Sequence, residues 1–427
     1  MFFGSGPSAR AMRRFLCRDL NSRCQSVSLM QTLSRATPPF VYCHEYSCTW
    51  PDNHRFPMSK FHDLFDYLTQ NHAIDPQDLI KPIHPFDNNG GDNNVMKAAR
   101  ECHDEDYLKR VLTHSLSDRE KRRIGLYDRN EHAVLLPRRS FAEVGGTCLT
   151  VDLALRHGMS CNLSGGTHHA AHNHGSGFCV VNDIGIACIR ALSLGHVKKI
   201  LVFDCDVHQG DGTARLFKDN DSVYTVSLHC EENYPFTKAI SDMDVGMLPG
   251  TDDETYMQVC EKTLLEAIEI SQPDLVIYDA GVDVSNDDAL GKLSLTNDGI
   301  YQRELLVLST CRRMNIPIAG IIGGGYSKGG KIALASKHAK LHLAAIEVWN
   351  TFDHDTYVGD VIDNSDSDSD SDSDSRGYSH STRTRTSNSN HNFDSKTQQR
   401  RREYENRWLE IELDLELQHN VGTVDQK

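Results

Sequence analysis

The stretch KKILVFDCDVHQGDG, residues 198–212, joins an apolar run that predicts a buried strand to an acidic segment directly after it. Side chains alternate along a strand, so Asp204, Asp206 and His208 would project from one face. Burying uncompensated carboxylates is costly unless a cation lies among them. The stretch therefore predicts a metal site where the strand leaves the core, with an ordinary Asp-Gly turn as the plainer alternative.

Helices and strands alternate from residue 142 onward. Strands are predicted over 159–164, 198–203, 222–228, 273–281 and 317–322, and helices over 142–158, 182–195, 255–271, 296–314 and 332–349. Near-continuous apolar strands separated by helices indicate an α/β fold of the doubly wound class, in which helices cover both faces of a mostly parallel sheet.

Polar segments follow four of the predicted strands. In such sheets, ligands bind outside the carboxyl ends of the strands. We therefore expect the four segments to meet at one edge of the sheet and form a site. They are GGTHHAAHNHGSGF (165–178), DCDVHQGDG (204–212), DAGVD (279–283) and GGGY (323–326).

A metal held by Asp206, His208 and Asp283 would keep an open coordination position, which is typical of catalytic sites. A bound divalent ion lowers the pKa of its water toward about 7 and polarises a carbonyl. Hydrolysis by a metal-activated water is the reaction class that this set of ligands favours.

General acid-base catalysis needs a base for the water and an acid for the leaving group. Adjacent His168 and His169 could supply both if Asp204 and Asp211 orient them. Tyr326 follows a run of three glycines, and a phenol placed there could stabilise an oxyanion. Each feature is weak by itself, but their conjunction after successive strands favours a metal hydrolase.

Both ends of the chain differ in composition from the segment between them. Residues 1–39 carry six Arg and one acidic residue, which is typical of a transit peptide, with a disordered basic terminus as the alternative. Residues 40–350 form the predicted catalytic domain. The segment 351–427 opens with nine Asp and no Lys or Arg through Ser375, so a disordered acidic tail is expected. A short interaction segment at 404–419 and an unstructured acidic terminus are both open alternatives for its end.

Composition excludes several classes of protein. No run approaches the roughly 18 apolar residues of a membrane span. The thirteen Cys contain no CxxC pair, which favours reduced thiols over a disulfide scaffold. Much of the net charge of −15 lies in the tail, and no basic stripe interleaved with aromatics indicates direct nucleic-acid binding.

At this point the sequence resembles the histone deacetylase family, within the arginase-deacetylase fold. The resemblance covers about residues 40–350. Gln209 in DVHQGDG and the stretch HRFPMSKF (54–61) are most similar to class IV and bacterial-type members. The motifs that match in order are GGTHHA (165–170), SGFCVVND (176–183), DCDVHQGDG (204–212), VSLH (226–229), AGVD (280–283) and GGGY (323–326).

The resemblance implies two metal sites. Iron(II) is an alternative to zinc for the first, because two carboxylates and one imidazole are not strongly selective. The zinc ligands would be Asp206, His208 and Asp283. The ligands of a structural potassium ion would be Asp204, Asp206, His208, Ser227 and Leu228.

The resemblance also implies catalytic roles. His169, paired with Asp211, would be the general base and acid. His168, paired with Asp204, would give electrostatic support, and Tyr326 would polarise the acyl carbonyl. Phe178 would line the acyl-lysine tunnel, with Tyr234 or Phe236 as the facing wall. The remaining tunnel residues would be Gly177, Gly324 and Gly325.

Two departures concern substrate recognition. No residue matches the acidic loop residue with which class I enzymes hold the substrate backbone, and DNNGGDNN (87–94) has no assigned role. His172 and His174 match no catalytic position and are interpreted as loop histidines.

The expected function is zinc-dependent hydrolysis of N6-acetyl-lysine, or of longer acyl-lysine, in proteins such as histones. An amidohydrolase of small acylated amines such as polyamines is the alternative within the same fold. A non-catalytic interaction protein is an alternative of another class, which the intact metal ligands, histidine pair and tyrosine disfavour. The basic N-terminus suggests a mitochondrion or plastid, with cytoplasm and nucleus left open.

Overall fold

The computed structural model describes residues 37–51, 54–87, 93–127 and 134–352. The predicted transit peptide up to residue 36, the acidic tail after Phe352 and its segment 404–419 lie outside the described residues. Within them, no helix is both long and apolar enough to cross a membrane. Their eleven cysteines are all free, and ten of these are buried.

Seven parallel strands form one sheet in the order β1-β2-β7-β6-β3-β4-β5. The sequence predicts five of them, and β1 and β5 were not predicted. β1 has only two residues, and β5 lies at the edge of the sheet, where its exposure alternates. The strands are β1 (Phe40–Val41), β2 (Met159–Asn162), β3 (Ile200–Asp204), β4 (Val223–Cys230), β5 (Met243–Met247), β6 (Leu275–Asp279) and β7 (Ile318–Ile321).

Helices cover the sheet, and every residue of β2, β3, β6 and β7 is buried. This confirms the doubly wound α/β fold. Among the described residues, short 3₁₀ helices occupy His44–Tyr46 and Pro76–Asp78. The α-helices are α1 (Lys60–Gln70), α2 (Asn93–Cys102), α3 (Glu105–Leu112), α4 (Asp118–Ile124), α5 (Leu136–His157), α6 (Asp183–Ser193), α7 (Asp211–Phe217), α8 (Asp253–Ser271), α9 (Asn297–Arg313) and α10 (Gly330–Thr351).

Local capping chemistry explains where several helices begin and end. The Asn182 side chain accepts from the Gly185 amide at the start of α6, and Thr296 caps α9 in the same way. Gly158 ends α5 at a φ of 80°, a conformation that glycine adopts without strain. The sequence pattern predicts neither α1 to α4 nor α7, since the predicted alternation of helices and strands begins at residue 142 and α7 begins inside the acidic segment.

Strand register brings the expected site together. β3 lies between β4 and β6, so that Asp204 is aligned with Ser227 on one side and with Asp279 on the other. Asp279 is in turn aligned with Ile321 of β7. The segments that follow β3, β6 and β7 therefore leave the sheet at one edge, side by side.

Candidate metal-dependent active site

Asp206, His208 and Asp283 converge just beyond the carboxyl ends of β3 and β6. His208 Nδ1 lies 3.0 Å from Asp206 Oδ1 and 3.1 Å from Asp283 Oδ2. All three side chains are buried, and their ligand atoms lie within 4.8 Å of one another. Backbone amides orient both carboxylates, because Gly324 N donates to Asp206 Oδ2 and Val207 N donates to Asp283 Oδ1.

This donor set fits a divalent metal ion. Ligands of a four-coordinate ion with bonds of about 2 Å lie about 3.3 Å apart, close to the spacing seen here. Asp283 Oδ2 has no hydrogen bond among the described residues although it is buried. Gly324 leaves room for it, since a Cβ at this position would come within 2.1 Å of the same oxygen. Two carboxylates and one imidazole could therefore hold a metal.

The two adjacent histidines each bond a separate carboxylate. His168 Nδ1 lies 2.7 Å from Asp204 Oδ2, and His169 Nδ1 lies 2.7 Å from Asp211 Oδ1. These are the pairings that the resemblance implies. In each ring, Nδ1 is engaged by its carboxylate, so Nε2 is the atom left to face the site. Gly177 packs directly on the His169 ring.

The environments of the two histidines push their pKa values apart. Burial lowers the pKa of His168, but the charges of Asp204 and Asp206 outweigh it and hold that pKa well above its ordinary value. For His169, burial and then the neighbouring His168 charge lower the pKa to about 4. At neutral pH, His168 is therefore cationic and His169 neutral, which divides an electrostatic role from a base role.

Aromatic rings line the entrance to this site. The Phe178 ring lies 5.8 Å from Tyr326 and 5.4 Å from Phe56, measured between centroids. Across from them, the Tyr234 ring lies 5.0 Å from His169 and 6.2 Å from His208. Of the two candidates for the facing wall, Tyr234 is therefore the one that lies beside the histidines of the site, and its role as a wall stays a prediction.

Two of the expected tunnel residues lie elsewhere. Phe236 is 90% exposed and touches Tyr234 edge-on from outside. Gly325 faces the buried His338 on α10, because a Cβ there would come within 2.7 Å of His338 Nε2. Gly177, Gly324 and also Gly323 line the cavity. Of the three successive glycines, the first two therefore line the cavity and the third does not, which the sequence pattern alone does not predict.

Of the residues expected around potassium, Asp204, Asp206 and His208 lie at the end of β3 or just after it, and Ser227 and Leu228 lie on β4, which flanks β3 on the side away from β6. Asp204 is aligned with Ser227, and Leu228 follows on β4. Asp206 N donates to Asp204 Oδ1, which draws the segment into a tight turn. All five are buried. The role of these residues in binding a monovalent ion stays a prediction.

Asp279 is a buried carboxylate with no predicted role, although it opens the DAGVD segment (279–283). Its Oδ2 lies 3.7 Å from His168 Nδ1. Neither of its oxygens accepts a hydrogen bond from a described residue. Burial and then the Asp204 charge raise its pKa well above the ordinary value, so Asp279 favours the neutral acid.

A polar region extends the cavity inward, and sequence reasoning missed it. Lys60 Nζ donates to Gly323 O at 2.9 Å, and Arg139 pairs with Glu143 at 2.7 Å. Burial lowers the pKa of Lys60 and raises that of Glu143 to about 7. Lys60 lies in HRFPMSKF, so the resemblance pointed to the segment but not to its place in the site.

Comparison with known proteins agrees with this geometry. Residues 56–342 match the model of the histone deacetylase domain. An uncharacterized protein from Picosynechococcus sp. is 43% identical over 311 residues, which is 73% of this chain and 99% of that protein. Histone deacetylase 2 from Arabidopsis thaliana is 34% identical over 208 residues, 48% of this chain and 53% of the relative.

A solved structure supports the same fold. The crystal structure of the HDA15 HD domain aligns with a TM-score of 0.59 at 20% identity, covering 73% of this chain and 89% of that one. The domain match spans most of the chain, and the order of motifs along the strands is the one that the site requires. The chain therefore belongs to the histone deacetylase family.

Proposed function

We propose that this protein is a zinc-dependent deacylase of the class IV type that hydrolyses the amide of N6-acetyl-lysine, or of longer acyl-lysine, in proteins. One observation carries the proposal. Asp206 and His208 of the candidate metal set line a cavity that is also lined by Phe56, Phe178, His169 and Tyr326, and Asp283 lies beside them. Asp204, Ser227 and Leu228 would complete the potassium site beneath it.

Asp206, His208 and Asp283 would hold the ion that supplies the Lewis acid of the reaction. A divalent ion bound there would lower the pKa of a water and polarise the amide carbonyl. The chain supplies the proton transfers. His169 is neutral, with Nδ1 engaged by Asp211, and can therefore accept the water proton at Nε2. The resulting imidazolium can then donate that proton to the leaving lysine amine.

Two further groups stabilise charge as the carbonyl becomes tetrahedral. Burial and then the charge of Asp283 raise the pKa of Tyr326 well above its usual value, so its hydroxyl stays protonated and can donate to the oxyanion. Cationic His168 adds positive charge beside the reacting centre. Phe178 and Tyr234 supply apolar walls that suit an extended aliphatic chain between them.

The test is turnover by the full-length protein supplied with zinc. Peptides carrying acetyl-lysine or longer acyl-lysine are compared with an acetylated polyamine. We expect hydrolysis of at least one peptide, with kcat falling about 100-fold or more in Tyr326→Phe because one oxyanion donor is lost. A folded, metal-loaded protein that hydrolyses only the polyamine, or no substrate, would contradict the proposal.

A further inference from the structure

The C-terminal end of helix α4 forms part of the cavity mouth. Phe178 N donates to Ile124 O at 2.6 Å, and Gly125 packs against the Phe178 ring. Gly125 has no room for a side chain there, because a Cβ would come within 2.9 Å of that ring. The basic last turn of α4, which contains Arg123, therefore lies beside the aromatic wall of the entrance.

Arg123 carries a positive charge that no described carboxylate compensates. Its side chain is exposed, and Nη2 donates to His174 Nε2 at 2.6 Å. The other ring nitrogen of His174 bonds Asn173 Oδ1 at 2.6 Å, so the histidine is the neutral acceptor. Among the described residues, no carboxylate lies within 4.0 Å of Arg123. An exposed guanidinium beside a neutral imidazole is suited to bind an incoming anion.

His174 holds this charge close to the tunnel wall. Two residues later in the chain, Ser176 Oγ lies 2.5 Å from the Tyr234 hydroxyl. Burial lowers the pKa of His174, and Arg123 and Arg215 lower it further, so both guanidinium groups act on the same ring. Two cations therefore flank the side of the mouth that Tyr234 borders.

Acidic neighbours offset this charge only in part. Arg215 pairs with Asp211, which also bonds His169. On the far side of Tyr234, Lys238 Nζ donates to the carbonyls of Asn233 and Pro235 at 2.7 and 2.8 Å. The exposed Glu231 attracts Lys238. Among the described cations on this side of the mouth, Arg123 therefore lacks a carboxylate partner and is available to bind an anion.

We infer that Arg123, with Arg215 and Lys238, makes the mouth select acyl-lysines that are flanked by acidic residues. The inference rests on the proposed function and narrows its substrates. It also gives His174, a histidine outside the catalytic set, the role of holding Arg123 at the rim. Substrates with basic flanks, as in a Lys- and Arg-rich tail, are disfavoured by like-charge repulsion.

The test measures kcat/KM for three peptides that differ only in the residues around one acyl-lysine, which are Glu, Gln or Lys. We expect the Glu peptide to exceed the Lys peptide about tenfold at about 0.05 M salt, and about twofold at about 1 M salt, because rim charges are screened. Equal values for the three peptides would overturn the inference while leaving the proposed function in place. No turnover of any peptide would overturn both.

Two variants test whether Arg123 at the cavity mouth causes the preference for acidic flanking residues. Arg123→Gln should lower the ratio of Glu to Gln peptide about threefold, the usual scale for one exposed charge pair. The matched control is Arg156→Gln, an exposed arginine in the last turn of α5, just before the amino end of β2. It should keep the wild-type ratio. A ratio that survives in Arg123→Gln, or falls equally in Arg156→Gln, would contradict the assignment.

Discussion

At the scale of single residues, Asp288 is the most informative side chain outside the predicted set. Its carboxylate is buried and accepts from three backbone amides. Tyr326 N donates to Oδ2 at 2.6 Å, and Leu290 N and Gly291 N donate to Oδ1 at 2.8 and 2.9 Å. One carboxylate therefore ties the loop that carries Tyr326 to the loop that follows Asp283. If Tyr326 acts as proposed, Asp288 is a positioning residue, because it would act on the reaction through Tyr326.

Replacing Asp288 should act on Tyr326 rather than on substrate binding. In Asp288→Asn, one carboxylate oxygen becomes an amide nitrogen that cannot accept, so the tyrosine loop loses a charge-assisted bond. We expect kcat to fall about tenfold, with KM within about twofold and metal content unchanged. Steady-state kinetics and metal analysis measure these quantities.

A double-mutant cycle separates positioning from a general loss of structure. Adding Asp288→Asn to Tyr326→Phe should cost little further activity, because the hydroxyl to be positioned is already absent. Asp287→Asn is the control, since Asp287 bonds Ser327 Oγ and Lys337 but not the Tyr326 amide. Losses that multiply in the double variant would show that Asp288 does not act through Tyr326.

At the scale of elements, a buried histidine joins three segments around the loop that carries His168 and His169. His103 follows helix α2, its Nδ1 bonds Ala171 O at 3.0 Å, and its Nε2 accepts from Asn182 N at 3.0 Å. Asn182 is the N-cap of α6 and also donates to Ala170 O. The neutral imidazole of His103 therefore fixes the position of the segment that follows His168 and His169, through its bond to Ala171 O.

This arrangement predicts a loss of stability in acid. Burial lowers the pKa of His103 from its ordinary 6.5 to about 4. Between these two pH values, the histidine is protonated in the unfolded chain but neutral in the folded chain. The free energy of unfolding is therefore unaffected by His103 above the pKa of the unfolded chain, and it decreases as pH falls below that pKa. Between about pH 7 and pH 5, His103 should cost the folded state about 2 kcal/mol.

Denaturant unfolding of wild type and His103→Gln between about pH 7 and pH 5 tests whether His103 destabilises the folded state in acid. The difference between their free energies of unfolding should shrink by that amount as pH falls. His62→Gln is the control, because the His62 side chain is 48% exposed. A difference that stays constant, or grows in acid, would show that His103 accepts the proton in the folded state.

At the scale of the whole molecule, the sheet gathers buried carboxylates from distant parts of the chain. Asp204, Asp206, Asp279 and Asp283 all lie at the carboxyl edge of β3 and β6 and are at most 3% exposed. Mutual repulsion and desolvation oppose this arrangement. A cation bound at the edge offsets both, so metal binding should stabilise the fold.

Metal removal should therefore lower the melting temperature as well as abolish turnover. With metal in large excess over its dissociation constant, linkage stabilises by about 3–4 kcal/mol, which corresponds to roughly 5 °C or more for a domain of this size. Calorimetry before and after chelation, with zinc added back, measures the shift. Asp283→Asn, which lacks a ligand, should show little response to chelation. Equal melting temperatures with and without metal in the wild type would contradict this role.

The sequence by itself determined the α/β class, five of the seven strands, and the segments that form the site. These features depend on local periodicity, on capping residues and on glycine conformation, which are encoded within a few residues of each other. The His168–Asp204 and His169–Asp211 pairings followed from the family resemblance. In physical terms, each pairing joins the loop after β2 to the end of β3 or the start of α7, although β7 and β6 lie between β2 and β3 in the sheet.

Only the tertiary structure decided which side chains share a surface across long separations in the chain. Tyr234 rather than Phe236 faces the histidines, Asp288 holds Tyr326, and Arg123 reaches His174 over 51 positions. No local pattern encodes these contacts, because they depend on how loops from different strand ends pack. The chemistry of the centre could thus be predicted from the sequence, whereas the shape and charge of its entrance required the fold.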